Sequence, residues 1–352
     1  MLNFRKKITT YEYNNKSIWF FLLLCCSLIY LQSCEKTTTN RQNEINKWIE
    51  EDGKTKVLST TNMINDLVQQ IGGEHVSSIS LIQGELDPHS YQLVKGDDEK
   101  LSFAQIVFYN GLGLEHGPSL HHYLSQNHKA ISLGDLAHEQ DAERIIYVNG
   151  QKDPHIWMDI EIWSSTIPFI VDALSRAKPE HAEYYKKNAQ KLQNEMTETH
   201  KEIKQLLHKV PEAKRYLVTS HDAFNYFARA YLTEPGERES GEWQKRFAAP
   251  EGLAPESQLS TTHIKFIIDY LKEHQIHLLF PETNVSYDSI RKIVQAGQEK
   301  GLDVHIACCP LYGDAMGPPG SDGDTYLKMI KHNAKMLAKH MENPEKQHEQ
   351  MK

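Results

Sequence analysis

The sequence predicts an α/β protein of two (β/α) lobes with parallel sheets, joined by a single long helix. Three observations predict it. Short apolar runs alternate with helical patterns from Lys56 to Lys178 and again after Arg215, the arrangement that parallel strands and crossover helices require. Between these stretches, residues 179–210 open on Pro179 and then contain neither Gly nor Pro, while Tyr185, Ala189, Leu192, Met196, Thr199, Ile203, Leu206 and Val210 recur at steps of three and four. A chain of 352 residues with 39% hydrophobic residues suits two ordinary domains and excludes a disordered protein.

The elements follow in order. Arg5, Lys6, Lys7 and Lys16 precede a 14-residue apolar run, 18–31, which fits a signal peptide and is short for a bilayer span. The run closes on LQSC, similar to a bacterial lipobox, so residues 1–33 read as a lipoprotein signal and Cys34 as the lipidated residue. Residues 34–53 are polar and read as a tether. In the first lobe, 54–178, the expected strands are VLST, VSSISLI, IVFYNG, AISLGD and IIYV, with helices at 63–71, 98–103 and 120–124 and another after DPHIW. The spine, 179–210, would be about 48 Å long at 1.5 Å per residue, longer than one small lobe. The second lobe, 211–352, carries RYLVTS, a helix over 223–231, a polar Gly- and Pro-rich loop, a helix over 261–274, HLLFPE, a helix over 289–300, DVHIACCPL and a closing helix from Asp324 to about His340. Two lobes on one helix leave a cleft between them.

The formal net charge is −8, and removing residues 1–33 takes away four basic and one acidic side chain, leaving −11. That balance argues against nucleic acid or an anionic membrane surface as a partner. Once the signal is gone, Cys308 and Cys309 are the cysteines of the folded body, and they read as buried strand residues. The chain therefore folds without a disulfide framework.

The tripeptide Asp-Pro-His occurs twice, at Asp87–His89 and Asp153–His155, with the histidines 66 residues apart. Each stands in a loop after an expected strand, where proline confines its own φ and pushes the aspartate into an extended conformation. His221, in TSHDAF, follows the strand YLVTS in the second lobe. Loops at the carboxyl ends of parallel strands are where ligands collect, and neutral imidazole is the commonest protein ligand for zinc and its neighbours. A fourth ligand is best sought at Asp314 in PLYGDAMG; Asp322 and Asp324 lie beyond two prolines, where a helix start accounts for a carboxylate. Glu256 in APESQ and Glu282 in FPETNVS are candidate acceptors for imidazole N–H groups. His121, His122, His138, His332, His340 and His348 read as ordinary hydrogen-bonded or surface histidines.

In order and spacing, GELDPHSY, DPHIWMD, TSHDAFNYFARAY and PLYGDAMG resemble the metal-binding motifs of the zinc and manganese solute-binding proteins of ABC transporters. The resemblance covers essentially the whole chain after the signal. It implies His89, His155, His221 and Asp314 as ligands of one divalent transition metal, zinc favoured and manganese or iron possible. It also implies a lipid-anchored monomer outside the cytoplasm, periplasmic or at the cell surface, handing metal to an ABC permease. Two features depart from dedicated relatives: the region between Gly117 and Asp153 lacks the long His-rich loop of many zinc receptors, and His221 stands where some manganese receptors carry Glu. The other readings of the same residues are an exported zinc-dependent hydrolase and a metal-binding surface adhesin. Against the first, neither HExxH nor HxxEH occurs.

Overall fold

A computed structural model describes residues 45–255 and 259–342. The expected signal, Cys34 and Glu256 lie outside the described residues. Residues 45–50, within the expected tether, are helical and belong to a separate N-terminal unit; the main unit begins at Glu51.

The first lobe is a parallel sheet of β1 (Thr55–Ser59), β2 (Val76–Ser80), β3 (Ile106–Tyr109) and β4 (Ala130–Ser132) in the order β2-β1-β3-β4. Val57, Leu58, Val107 and Phe108 are fully buried, as strands covered on both faces must be. Helices α1 (Asn62–Gly72), α2 (Asp97–Phe103) and α3 (Pro118–Gln126) make the crossovers. The Thr61 side chain caps α1, whose Met63, Ile64, Leu67, Val68 and Ile71 are buried.

Two readings in this lobe need correction. AISLGD is strand only to Ser132, whose side chain accepts the Asp135 N–H and starts helix α4 (Leu133–Gln140). IIYV does not extend the parallel sheet. Its Tyr147–Val148 is β5 of an antiparallel hairpin with β6 (Gln151–Lys152). The reason is the intervening Asn149-Gly150, at φ of 51° and 80°, the pair that a tight hairpin turn demands. Helices α5 (Ile160–Ser164) and α6 (Ile167–Ala177) follow.

The long helix α7 spans Ala182–Leu207, after a 3₁₀ turn at Pro179–His181, and is about 39 Å long. Tyr185, Ala189, Leu192, Met196, Thr199 and Ile203 are buried as their spacing predicts, but the last buried helical position is Leu207, not Leu206. The chain then tightens, with the Val210 N–H bonded to the Leu207 carbonyl, so Val210 is buried outside the helix.

Second-lobe strands are two residues each. β7 (Leu217–Val218) pairs with β8 (Phe247–Ala248) and β9 (Leu278–Leu279) with β10 (His305–Ile306), both parallel, and the Phe280 N–H donates to the Val218 carbonyl at 2.9 Å to join the pairs. Helices α8 (Thr261–Glu273) and α9 (Asp288–Glu299) bury Ile267, Leu271, Ile290 and Ile293 against them. The closing helix α10 (Tyr326–Glu342) begins two residues after its expected start. Helix α7 packs on α1, α5 and α6 of the first lobe and on α10 of the second. The helix expected over 223–231 is a single turn, Asn225–Phe227, running into a π turn, Ala228–Leu232. Cys308 and Cys309 are not buried strand residues: they follow β10, Cys308 exposed and Cys309 half-buried.

Candidate metal centre

The two Asp-Pro-His segments are one device built twice. Asp87 Oδ1 accepts the His89 N–H at 2.9 Å, and Asp153 Oδ1 accepts the His155 N–H at 2.9 Å. Each aspartate thus closes a side-chain turn around its own proline and fixes the backbone that carries the imidazole. Asp153 Oδ1 also lies 2.7 Å from His155 Nδ1, which directs the ring's Nε2 away from the loop. The Pro154 carbonyl is held by Asn110 Nδ2 at 2.9 Å. Asn110 and Gly111 in turn donate their N–H groups to the buried Glu115 carboxylate, whose pKa burial pushes up, at 2.8 and 3.0 Å.

On the second lobe, Glu282 Oε1 accepts the N–H groups of Ser220 and His221 at 3.0 and 2.9 Å, and its Oε2 lies 2.8 Å from His221 Nδ1. Asp314 is held by Asn284, which donates to its Oδ2 at 3.1 Å and accepts its N–H at 3.3 Å. Between them Gly313 has no room for a side chain: an added Cβ would stand 2.3 Å from Glu282 Oε2.

These supports aim four donor atoms at one point. His89 Nε2 and His155 Nε2 are 3.3 Å apart, and Asp314 lies 3.7 Å from His89 Nε2, 3.4 Å from His155 Nε2 and 3.1 Å from His221 Nε2. All four ligand atoms fall within 4.8 Å of one another. A tetrahedral ion with bonds of about 2.1 Å separates its ligands by about 3.4 Å, close to the 3.1–3.7 Å between Asp314 and the three imidazoles and the 3.3 Å between His89 and His155. Asp314 Oδ1 is buried without a hydrogen-bond partner, which is costly unless a cation completes it.

The electrostatics of the cluster suit a cation. Burial, reinforced by His155 and His221 and opposed by Asp314, holds His89 well below its ordinary pKa. Burial also works against charge on His221, but Glu282 and Asp314 outweigh it and raise that imidazole well above the ordinary value. Burial would raise Asp314, yet the three imidazoles, His221 foremost, hold it well below the usual carboxylate range. A cavity of about 830 Å³, lined by His89, His116, Asp135, Lys152 and Leu253, opens onto the cluster at His89.

Of the residues the sequence singled out, the structure brings together His89, His155, His221 and Asp314, and sets Glu282 behind His221. Asp322 and Asp324 stay out of the cluster; Asp324 instead accepts the Gly320 N–H and pairs with Lys328 at 2.7 Å. Asp153, Asn110, Asn284 and Gly313 escaped the sequence reading. The duplicated aspartate carried the signal for the first, since Asp two residues before an N–H is a side-chain turn in the making.

Residues 57–340 match the family described as zinc-uptake complex component A, periplasmic. The chain belongs to this family. Metal-binding protein YtgA of Chlamydia trachomatis is 36% identical over 320 residues, 91% of this chain and 94% of the relative. The crystal structure of Fe(III)-bound YtgA from that organism superposes with a TM-score of 0.77 at 37% identity, over 82% of this chain and 98% of that one. The manganese ABC transporter substrate-binding lipoprotein PsaA of Streptococcus pneumoniae is 28% identical over 332 residues, 92% of this chain and 98% of the relative. The periplasmic zinc-binding protein TroA from Treponema pallidum superposes with a TM-score of 0.73 at 25% identity, over 82% of this chain and 99% of that one. As a member of this family the protein is a periplasmic metal-binding substrate receptor of an ABC transporter.

Proposed function

We propose that the protein captures one divalent transition metal, zinc ahead of manganese or iron, on His89, His155, His221 and Asp314 in the cleft, and passes it to its permease. The observation that carries this reading is the convergence of three Nε2 atoms and one carboxylate within 4.8 Å. Three imidazoles and one carboxylate close a tetrahedral sphere, and borderline nitrogen donors favour zinc over manganese beyond the general affinity order. Solved structures of an Fe(III)-bound and a zinc-binding relative share the fold, and a manganese-named relative matches in sequence, which supports the donor set rather than the scaffold as the source of the preference. The decisive experiment is chelator competition on His221→Glu: the zinc-to-manganese affinity ratio should fall about tenfold, roughly 1.4 kcal/mol. An unchanged ratio, or zinc binding by His221→Ala equal to the parent's, removes His221 from the site. Elemental analysis of protein purified from its own host, without added metal, names the native cargo.

The hydrolase reading loses support from Glu282, which lies at Nδ1 of His221, the opposite edge of the ring from the cluster, where it orients an imidazole and reaches no metal-bound water. Growth in chelated medium without the gene separates transport from adhesion. Around the site the same reading places a lipoprotein signal at 1–33, a lipid on Cys34, a tether at 34–53, lobes at 54–178 and 211–352 and the spine at 179–210, in a membrane-anchored monomer; the lipoprotein PsaA supports the anchor.

A further inference from the structure

A second cluster of metal-ligating side chains lies apart from the cleft. Cys308 and Cys309 follow β10, and α10 brings His340 to them, so that both sulfurs and one ring nitrogen lie within 4.8 Å of one another. The sulfurs are 3.2 Å apart. His340 is 1% exposed and packs its ring against Phe280, with centroids 5.8 Å apart, so its position is fixed by the core, whereas Cys308 is exposed and free to adjust.

We propose that Cys308, Cys309 and His340 form a second metal site for a thiophilic d¹⁰ cation such as zinc, with one coordination position open to solvent. Two thiolates and an imidazole are a zinc donor set, and the fourth position is left to water or an incoming ligand. Zinc bound this way separates its ligands by about 3.5–3.8 Å, which requires the sulfurs to part by about half an ångström. A rotation of the exposed Cys308 side chain supplies that movement. The hydrogen bond from Cys308 and partial burial push the Cys309 thiol up, while the Lys339 ammonium pulls the other way; a coordinating metal deprotonates a thiol outright.

The site is wired to the cleft through the backbone. Phe280, against which His340 packs, leads through Pro281 to Glu282, and Cys309 leads through Pro310 and Leu311 to Asp314. These strands are bonded to each other, with the Leu311 N–H on the Pro281 carbonyl at 2.8 Å and the Thr283 N–H on the Leu311 carbonyl at 3.0 Å. The thiolate site therefore sits on the two segments that hold the His221 support and the fourth cleft ligand.

The test uses the processed lipoprotein, in which Cys34 carries the lipid and Cys308 and Cys309 are the remaining thiols, reduced and counted, and loaded with cobalt(II) or zinc. Imidazole and carboxylate give no thiolate-to-cobalt charge-transfer absorption, so that band reports the second site alone. The parent should take up two equivalents of zinc and show the band with cobalt. Cys308→Ser/Cys309→Ser should take up one equivalent and lack the band, and His89→Ala/His155→Ala should keep it. A fully reduced parent that binds one equivalent without the band overturns the proposal, as does His340→Gln with the band and cobalt affinity unchanged. The band survives even where the cleft binds nothing, so the two sites fail separately.

Discussion

At the residue scale the chemistry turns on which nitrogen of His221 carries a proton. Glu282 faces Nδ1 at 2.8 Å, so its carboxylate selects the tautomer that leaves the Nε2 lone pair on the metal side. Replacing it by glutamine keeps the shape and sets an amide N–H₂ against Nδ1, which favours the proton on Nε2, where the metal should bind. Glu282→Gln should therefore lower metal affinity by about 10- to 100-fold while leaving the fold's circular dichroism unchanged; calorimetry giving the parental affinity would refute the tautomer argument. Protons compete for the same lone pairs, so affinity should fall as pH drops; with His221 held well above the ordinary imidazole pKa and His89 well below it, the loss should begin above that range and continue below it, as calorimetry across pH would measure. The repeated Asp-Pro-His and the post-strand placement of His221 made three members of the cluster legible in the sequence. Asn284 and Gly313 were not legible, because their roles exist only once separate segments meet: Gly313 has to be small for Glu282, thirty-one residues before it in the sequence.

At the element scale, periodicity found the longest helices among the described residues but missed α4 and the places where one residue decides. The spacing of α7 was readable for six turns because burial against two lobes demands it, and it failed in the last, where the helix tightens. The Asn149-Gly150 hairpin was masked by the apolar run IIYV. Asp66 of α1 gives an element-scale prediction, for its Oδ2 accepts the Tyr326 N–H at 3.2 Å and Gln70 Nε2 at 2.8 Å, tying α1 to the start of α10. Burial, against the pull of the Tyr326 bond, raises this carboxyl above its ordinary value. A raised acid contributes stability that is complete below its unfolded pKa and lost as pH rises through the folded one. Asp66→Asn keeps the acceptor without the charge, so its stability relative to the parent should increase between about pH 4 and pH 7. Urea titrations of metal-free protein at the two pH values measure this; a difference independent of pH would mean that Asp66 ionises freely.

At the scale of the whole molecule, the lobes are latched by bonds that flank the metal cluster. The Tyr226 hydroxyl donates to the Asp153 carbonyl at 2.9 Å, Asn225 Nδ2 to Asp153 Oδ2 at 3.0 Å, and Trp157 Nε1 to the Gly313 carbonyl at 3.1 Å. Each joins a residue two positions from His155 to the neighbourhood of His221 or Asp314. With α7 packed on helices of both lobes, large hinge opening is disfavoured, and release should proceed by small shifts of the loops bearing His221 and Asp314. Those shifts have to break these bonds first. Trp157→Phe removes one of them beside Asp314 and keeps most of the buried ring. A net hydrogen bond of about 1 kcal/mol lost from the closed state alone corresponds to roughly a fivefold faster release. Trapping released zinc with a chromogenic chelator in stopped flow measures that rate directly. A rate equal to the parent's would place the release barrier away from this latch, and a change in capture rate with release unaltered would mean that Trp157 guides the ion in rather than holding the closed form.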